Sequence, residues 1–237
     1  MTPQPQAILF DMDGTILDWT TGMEDSWLES CEKHRDPAWP HAPAQLHEAI
    51  RVRRTWFWSD FERATRGRMD LDGASREIVS HAFADLGIDA LDVAHRLADY
   101  YRALRATHIH PYPGAIETLA AFRERGIPMA LITNGEERNQ RRSVVQHQLE
   151  RFFDCIVIEG EFGVGKPDER VFRHALAAVR CNPEAAWMVG DSLEADIAPA
   201  VALGIHTVWV DETGGGLPAT APARPHRIIR AIAELVK

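Results

Sequence analysis

The chain reads as an α/β protein: a parallel β-sheet core with an inserted α-helical module. Three observations carry that reading. Short apolar runs with no polar alternation, suited to strands buried on both faces, recur at residues 7–10, 129–133, 155–158, 187–189 and 207–210. Between the later runs lie stretches with apolar residues three and four apart. Strand and helix therefore alternate with short connections, the pattern of right-handed crossovers within one sheet. Between the first run and the second, from residue 18 to residue 108, no strand is apparent and helical stripes take over. The expected division is a core made of 1–17 and 109–237 and a helical module of 18–108.

The first strand runs into Asp11-Met12-Asp13-Gly14-Thr15. Open α/β sheets place their ligands just past the carboxyl ends of such strands. Two acids one residue apart point opposite ways along an extended chain. The backbone must bend at Met12-Asp13-Gly14 if both are to face one ligand, and Gly14 permits the bend. Converging carboxylates repel unless a cation sits between them or one keeps its proton. Taken alone, the stretch also fits a calcium-type loop or a polar turn.

The module shows four stripes at helical spacing: Trp27, Leu28 and Cys31; Leu46, Ile50, Phe57 and Phe61; Ile78, Val79, Ala82, Phe83 and Leu86; and Leu91, Ala94, Leu97, Ala98, Tyr101 and Leu104. Breaks bearing proline or glycine fall at 37–43, 67–73 and 87, so about four helices are expected, the second over 45–64. Arg53 lies on the second stripe, between Ile50 and Phe57. An arginine there either snorkels to the surface or faces a wet cleft, where it could meet an anionic or hydroxyl-bearing part of a substrate. Trp19 and Trp56 either pack the module or offer an aromatic face.

Alternation starts at Pro113-Gly114. Helices are expected over 115–125, 136–150, 169–179 and 193–203, and a last one near 228–236 after a glycine-proline loop at 214–225. Gly126 and Gly204 are natural left-handed stops, and Pro167 favours a helix start. Three further strand ends carry polar groups. Thr133-Asn134-Gly135 offers a hydroxyl and backbone N–H groups to an oxyanion, or simply caps the following helix. Lys166-Pro167 sets a cation beside a helix N-terminus, where the macrodipole gives it nothing; a solvated surface lysine is the plainer reading. Gly190-Asp191, with Asp196 five residues on, brings more carboxylates to the same rim than helix capping requires. An oxygen-rich set without His or Cys favours Mg²⁺ over zinc.

Composition narrows the class. Hydrophobic residues make up 45% of the 237, which suits a globular chain. The net charge of -9 argues against nucleic acid and anionic membranes as partners, though a metal and a few cations can reverse the field within one cleft. Three scattered cysteines, Cys31, Cys155 and Cys181, point to a reducing compartment. The first six residues carry no positive charge, and no membrane span is visible, so a cytoplasmic location is expected. Neither repeats nor low-complexity tracts appear, and oligomeric state is not legible.

Together, Asp11-Met-Asp13-Gly14-Thr15, Thr133-Asn134, Lys166-Pro167 and Gly190-Asp191 with Asp196 resemble the four ordered motifs of the haloacid dehalogenase superfamily, across the whole chain. The helical insertion is similar to the cap of its phosphoglycolate-phosphatase-like branch. The resemblance implies a Rossmann-like core and Mg²⁺-dependent phosphoryl transfer from a small phosphorylated metabolite through an aspartyl-phosphate. It casts Asp11 as nucleophile and Asp13 as general acid and base. Mg²⁺ would be held by Asp11, Asp191 and the Asp13 carbonyl. Met12, Asp13, Thr133, Asn134 and Lys166 would cradle the phosphate, with Thr15 and Asp196 in support. A phosphatase is the leading expectation. A phosphomutase shares every motif, a 2-haloacid dehalogenase usually lacks the acid corresponding to Asp13, and a non-catalytic binding protein on the same fold is the reading from another class.

Overall fold

The computed structural model describes residues 4–236. Residues 1–3 of the leading segment, and Lys237, lie outside the described residues. The chain divides into two compact units, Met1–Trp19 with His110–Lys237, and Thr20–Ile109.

In chain order, β1 (Ala7–Phe10) is fully buried and leads through a tight turn to β2 (Leu17–Asp18). The helical unit follows with α1 (Met23–His34), α2 (Pro43–Trp58), α3 (Phe61–Met69), α4 (Leu71–Asp85) and α5 (Leu91–His108). The chain then returns through β3 (His110–Pro111) to α6 (Ala115–Glu124), β4 (Met129–Thr133), α7 (Glu137–Gln146) and β5 (Cys155–Ile158). After these come α8 (Glu159–Phe162), α9 (Glu169–Ala178), β6 (Ala186–Gly190), α10 (Ala198–Ala202), β7 (His206–Val210) and β8 (Arg227–Ile229).

Six strands form one parallel sheet in the order β5-β4-β1-β6-β7-β8. The reading of an α/β fold on a parallel, Rossmann-like sheet holds. β1 sits in the middle, which is why its four residues are apolar on both faces. Leu9 packs with Ala130, Met188 and the α9 residues Val171, Phe172 and Ala175. Phe10, of opposite parity, meets Phe122 of α6 and Phe153 at ring separations of 6.4 and 6.2 Å.

Several expectations need correction. The stripe read as one helix over 45–64 is two helices, because Asp60 accepts a hydrogen bond from the Arg63 N–H and caps a new start. Phe61 therefore leaves the stripe and is 82% exposed, and the helical unit has five helices. The helix expected over 136–150 stops at Gln146, and Leu149–Phe152 follows as a 3₁₀ turn. The one expected over 193–203 begins as a π-helical turn, Leu193–Ile197, before α10. Pro199 has no N–H to return to Ala195, which removes one α-register bond at that junction. The expected last helix near 228–236 is β8, pairing with the otherwise open edge of β7, and then a 3₁₀ turn over Ile232–Val236. β-Branched Ile228 and Ile229 suit that strand. β2 and β3 form a short antiparallel ribbon that two-residue strands do not announce in a sequence.

Candidate active site

The site grows out of the carboxyl end of β1. The Asp11 N–H donates to the Val189 carbonyl, which still belongs to the sheet ladder. The chain then folds over itself: the Met12 carbonyl accepts from the N–H groups of Ile16 and Leu17 at 2.9 Å, and Gly14 N–H donates to the Leu17 carbonyl at 2.8 Å. This turn requires Gly14, whose φ is +86° and where a Cβ would lie 2.2 Å from Asp191 Oδ2. The bend expected from the paired acids is thus present. The Met12 side chain is buried in the core, so what it offers a ligand is backbone.

Lys166 arrives from the loop before α9 with its side chain 2% exposed. Its Nζ lies 2.6 Å from Asp11 Oδ1 and 2.7 Å from Asp196 Oδ1. Burial by itself would lower its pKa, and the two carboxylates more than offset that, holding the ammonium above its usual range. The Asn134 side chain clasps the Lys166 backbone, donating to its carbonyl and accepting from its N–H, each at 2.7 Å. Asp196 Oδ2 also accepts from the Ser192 N–H at 3.0 Å. Gly190 makes room for this, since a Cβ there would stand 2.3 Å from Asp196 Oδ2.

Four carboxylates share this rim with one ammonium. Burial pushes Asp13 up to about 6; a hydrogen bond from Gln140 opposes that, Asp11 adds to it and Lys166 opposes. Asp196 also goes up to about 6, by burial first and against the pull of Lys166. Asp191 goes up to about 8, because protein crowds its carboxyl and Asp11 and Asp196 repel it, although the residue as a whole remains exposed. Oxygen atoms of Asp11, Asp191 and Asp196 all lie within 4.8 Å of one another. Asp11 Oδ2 is buried without a hydrogen-bond partner among the described residues, as is Thr15 Oγ1. Excess negative charge, an unpartnered carboxylate oxygen and an all-oxygen donor set fit a hard divalent cation.

Asp11, Asp13, Thr133, Asn134, Lys166, Asp191 and Asp196 are thus at the carboxyl edge of one sheet. Arg53, in the helical unit, forms a two-pronged ion pair with Asp85 and lies 5.5 Å from the Trp56 ring centroid. Trp56 is half-buried against the helical core, with Arg63 stacked over it at 4.1 Å. Trp19 is 45% exposed.

Two contributors escaped the sequence reading. The Trp209 indole N–H donates to the Asp191 carbonyl at 2.7 Å. Gln140 Nε2 lies 2.7 Å from Asp13 Oδ2, 2.7 Å from Thr133 Oγ1 and 2.8 Å from the Asn134 carbonyl. A signal for Gln140 was present: it shares the buried side of α7 with Ser143 and Val144, three and four residues on, where an apolar residue would be ordinary.

A model of the haloacid dehalogenase-like hydrolase family matches residues 5–204. The phosphoserine phosphatase of Thermus thermophilus is 37% identical over 179 residues, 74% of this chain and 69% of that protein. An (S)-2-haloacid dehalogenase of Pseudomonas putida is 25% identical over 233 residues, 97% of this chain and 94% of that one. Among solved structures, YfnB of Bacillus subtilis bound to magnesium gives a TM-score of 0.74 at 24% identity, over 98% of this chain and 97% of that chain. That likeness speaks for the fold. With the family model covering most of the sequence and the strand ends carrying these groups, the chain belongs to the haloacid dehalogenase-like hydrolases.

Proposed function

We propose that this hydrolase cleaves a small phosphomonoester with Mg²⁺ bound, through an aspartyl-phosphate on Asp11. The observation that carries the reading is Asp13, a second carboxylate turned to the same strand end as Asp11 and held there by Gln140. A halide leaves without a proton, so displacing one has no use for such a group. An alkoxide leaving a phosphate does. That favours a phosphatase over the activity named for the Pseudomonas relative, and agrees with the activity named for the Thermus one.

The chemistry divides among the residues as follows. An Asp11 carboxylate oxygen forms a bond to phosphorus as the ester P–O bond breaks, and Asp13 gives its proton to the departing alkoxide. Asp13 then takes a proton from water as that water attacks phosphorus, which releases inorganic phosphate and frees Asp11. Lys166, the Thr133 hydroxyl and the backbone N–H groups of Met12 and Asn134 hold the phosphate oxygens. When bound through Asp11, Asp191 and the Asp13 carbonyl, Mg²⁺ supplies neutralisation of the phosphate charge. Asp196 fixes Lys166, and Thr15 supports the turn. The three free cysteines suit a reducing cytoplasm.

The test is phosphate release from an aryl phosphate by Asp11→Asn. Turnover should fall about 10³-fold or more, with melting temperature unchanged or raised, since a buried charge is removed. Turnover near that of the unmodified protein would exclude the aspartyl-phosphate route.

A further inference from the structure

We propose that Gln140 is a positioning residue of this site, one amide nitrogen setting both the Asp13 carboxylate and the Thr133 hydroxyl. The inference rests on the acid-base reading of Asp13. A primary amide nitrogen has two hydrogens and accepts nothing. Here it faces three acceptors within 2.8 Å: Asp13 Oδ2, Thr133 Oγ1 and the Asn134 carbonyl. The Asn134 carbonyl can only accept, which fixes the nitrogen, not the oxygen, of the amide toward the cluster. Two N–H groups serving three acceptors means that one is shared.

The consequences follow atom by atom. Asp13 Oδ2 is occupied as an acceptor, so the proton that Asp13 carries in the reaction belongs on Oδ1. Thr133 Oγ1 accepts through one lone pair, so its own O–H is turned away from Gln140 and is available to an oxyanion. Gln140 is 7% exposed and rooted within α7, so its side chain is ordered before any ligand arrives. An amide buried for stability alone would be satisfied by the Asn134 carbonyl and one further partner. This one is aimed at the two side chains that face the chemistry from β1 and β4.

The test compares Gln140→Met, Asp13→Ala and the double variant on an alkyl phosphate, glycerol phosphate, and an aryl one, p-nitrophenyl phosphate. Gln140→Leu is carried in parallel in case the Met variant does not fold. Gln140→Met should raise KM on both substrates through Thr133. It should lower kcat selectively on the alkyl ester, by about 10- to 100-fold, since a poor leaving group depends on the proton from Asp13. In the Asp13→Ala background the same replacement should cost no further alkyl-selective kcat. Equal kcat losses on the two esters, no loss, or losses that multiply in the double variant would overturn the role of Gln140. If Asp13→Ala itself shows no alkyl-selective loss, the acid-base reading fails and takes this inference with it. An alkyl-selective loss in Asp13→Ala that is missing from Gln140→Met fails the inference alone.

Discussion

Asn134 grips Lys166 by the backbone, carbonyl and N–H both, so the end of β4 and the loop before α9 are locked through a single side-chain amide. From that held backbone the Lys166 ammonium reaches Asp11 at 2.6 Å and Asp196 at 2.7 Å.

Asn134→Ala should therefore act at a distance. Losing two short hydrogen bonds to a partly buried backbone costs about 1–3 kcal/mol. Thermal melting should show the drop. Turnover should fall further than that destabilisation explains, since Lys166 loses its fixed approach. Asn134→Asp, which sets a carboxylate against the Lys166 carbonyl, should be worse than Ala. An Asn134→Ala protein with normal kcat would show that Lys166 needs no such anchor.

Metal removal has two readouts. Excess EDTA should abolish phosphate release and Mg²⁺ should restore it. Independently of activity, Mg²⁺ at about 100 times its Kd should stabilise the fold by about 2.7 kcal/mol, a rise of several degrees in Tm. The crowded carboxylates Asp11, Asp191 and Asp196 are the reason. Asp191→Asn should blunt the Tm response. Full activity in chelator, or a Tm indifferent to Mg²⁺, would contradict the metal role.

The amino end of β7 offers a test of pH dependence. The His206 ring lies 5.4 Å from Trp187 and 4.5 Å from His226. Burial, then His226 and Arg227, lower its pKa below the usual 6.5. The fold thus prefers the neutral ring. Its contribution to stability is complete above pH 6.5 and is lost as pH falls from there through the lowered folded value. Between pH 8 and 5.5 the Tm should decline less for His206→Gln than for the unmodified protein. Parallel Tm curves would show that His206 carries no such linkage.

Arg53 poses a choice between partner and substrate. Its guanidinium already serves Asp85, and an exposed pair of that kind is worth roughly 0–1 kcal/mol. Arg53→Ala should leave Tm nearly unchanged. If Arg53 also meets a second polar part of the substrate, KM should rise for the preferred phosphomonoester and stay put for p-nitrophenyl phosphate. Identical responses to both would leave it a surface partner of Asp85.

The sheet and its site were legible because their signals are local and dense. Four apolar residues ending in Asp11-Met-Asp13-Gly14 read as a buried strand and a turn, and the polar groups at three further strand ends set that stretch apart from a calcium-type loop. Lys166, ordinary by itself, became interpretable by its place after a strand. The errors share another cause. Phe61 kept its helical spacing while Asp60 restarted the helix, and spacing alone does not register a cap. β8 forms because an open edge of β7 waits for it, a long-range fact that three residues, Arg227–Ile229, do not carry. Gln140 was passed over because a buried amide is recognised by what it touches across 127 residues of chain, as in its bond to Asp13.

The ribbon of β2 and β3 sets Leu17 opposite Pro111 and Asp18 opposite His110. The chain thus leaves the sheet unit and re-enters it side by side. Whatever is threaded between those two points closes a loop whose ends are already joined, and the entropic cost of such a loop grows only with the logarithm of its length. Every group assigned here to bond making and breaking lies outside Thr20–Ile109. Changes of length within that span therefore cost the sheet unit little closure entropy and leave in place the side chains that converge at the carboxyl edge of the sheet.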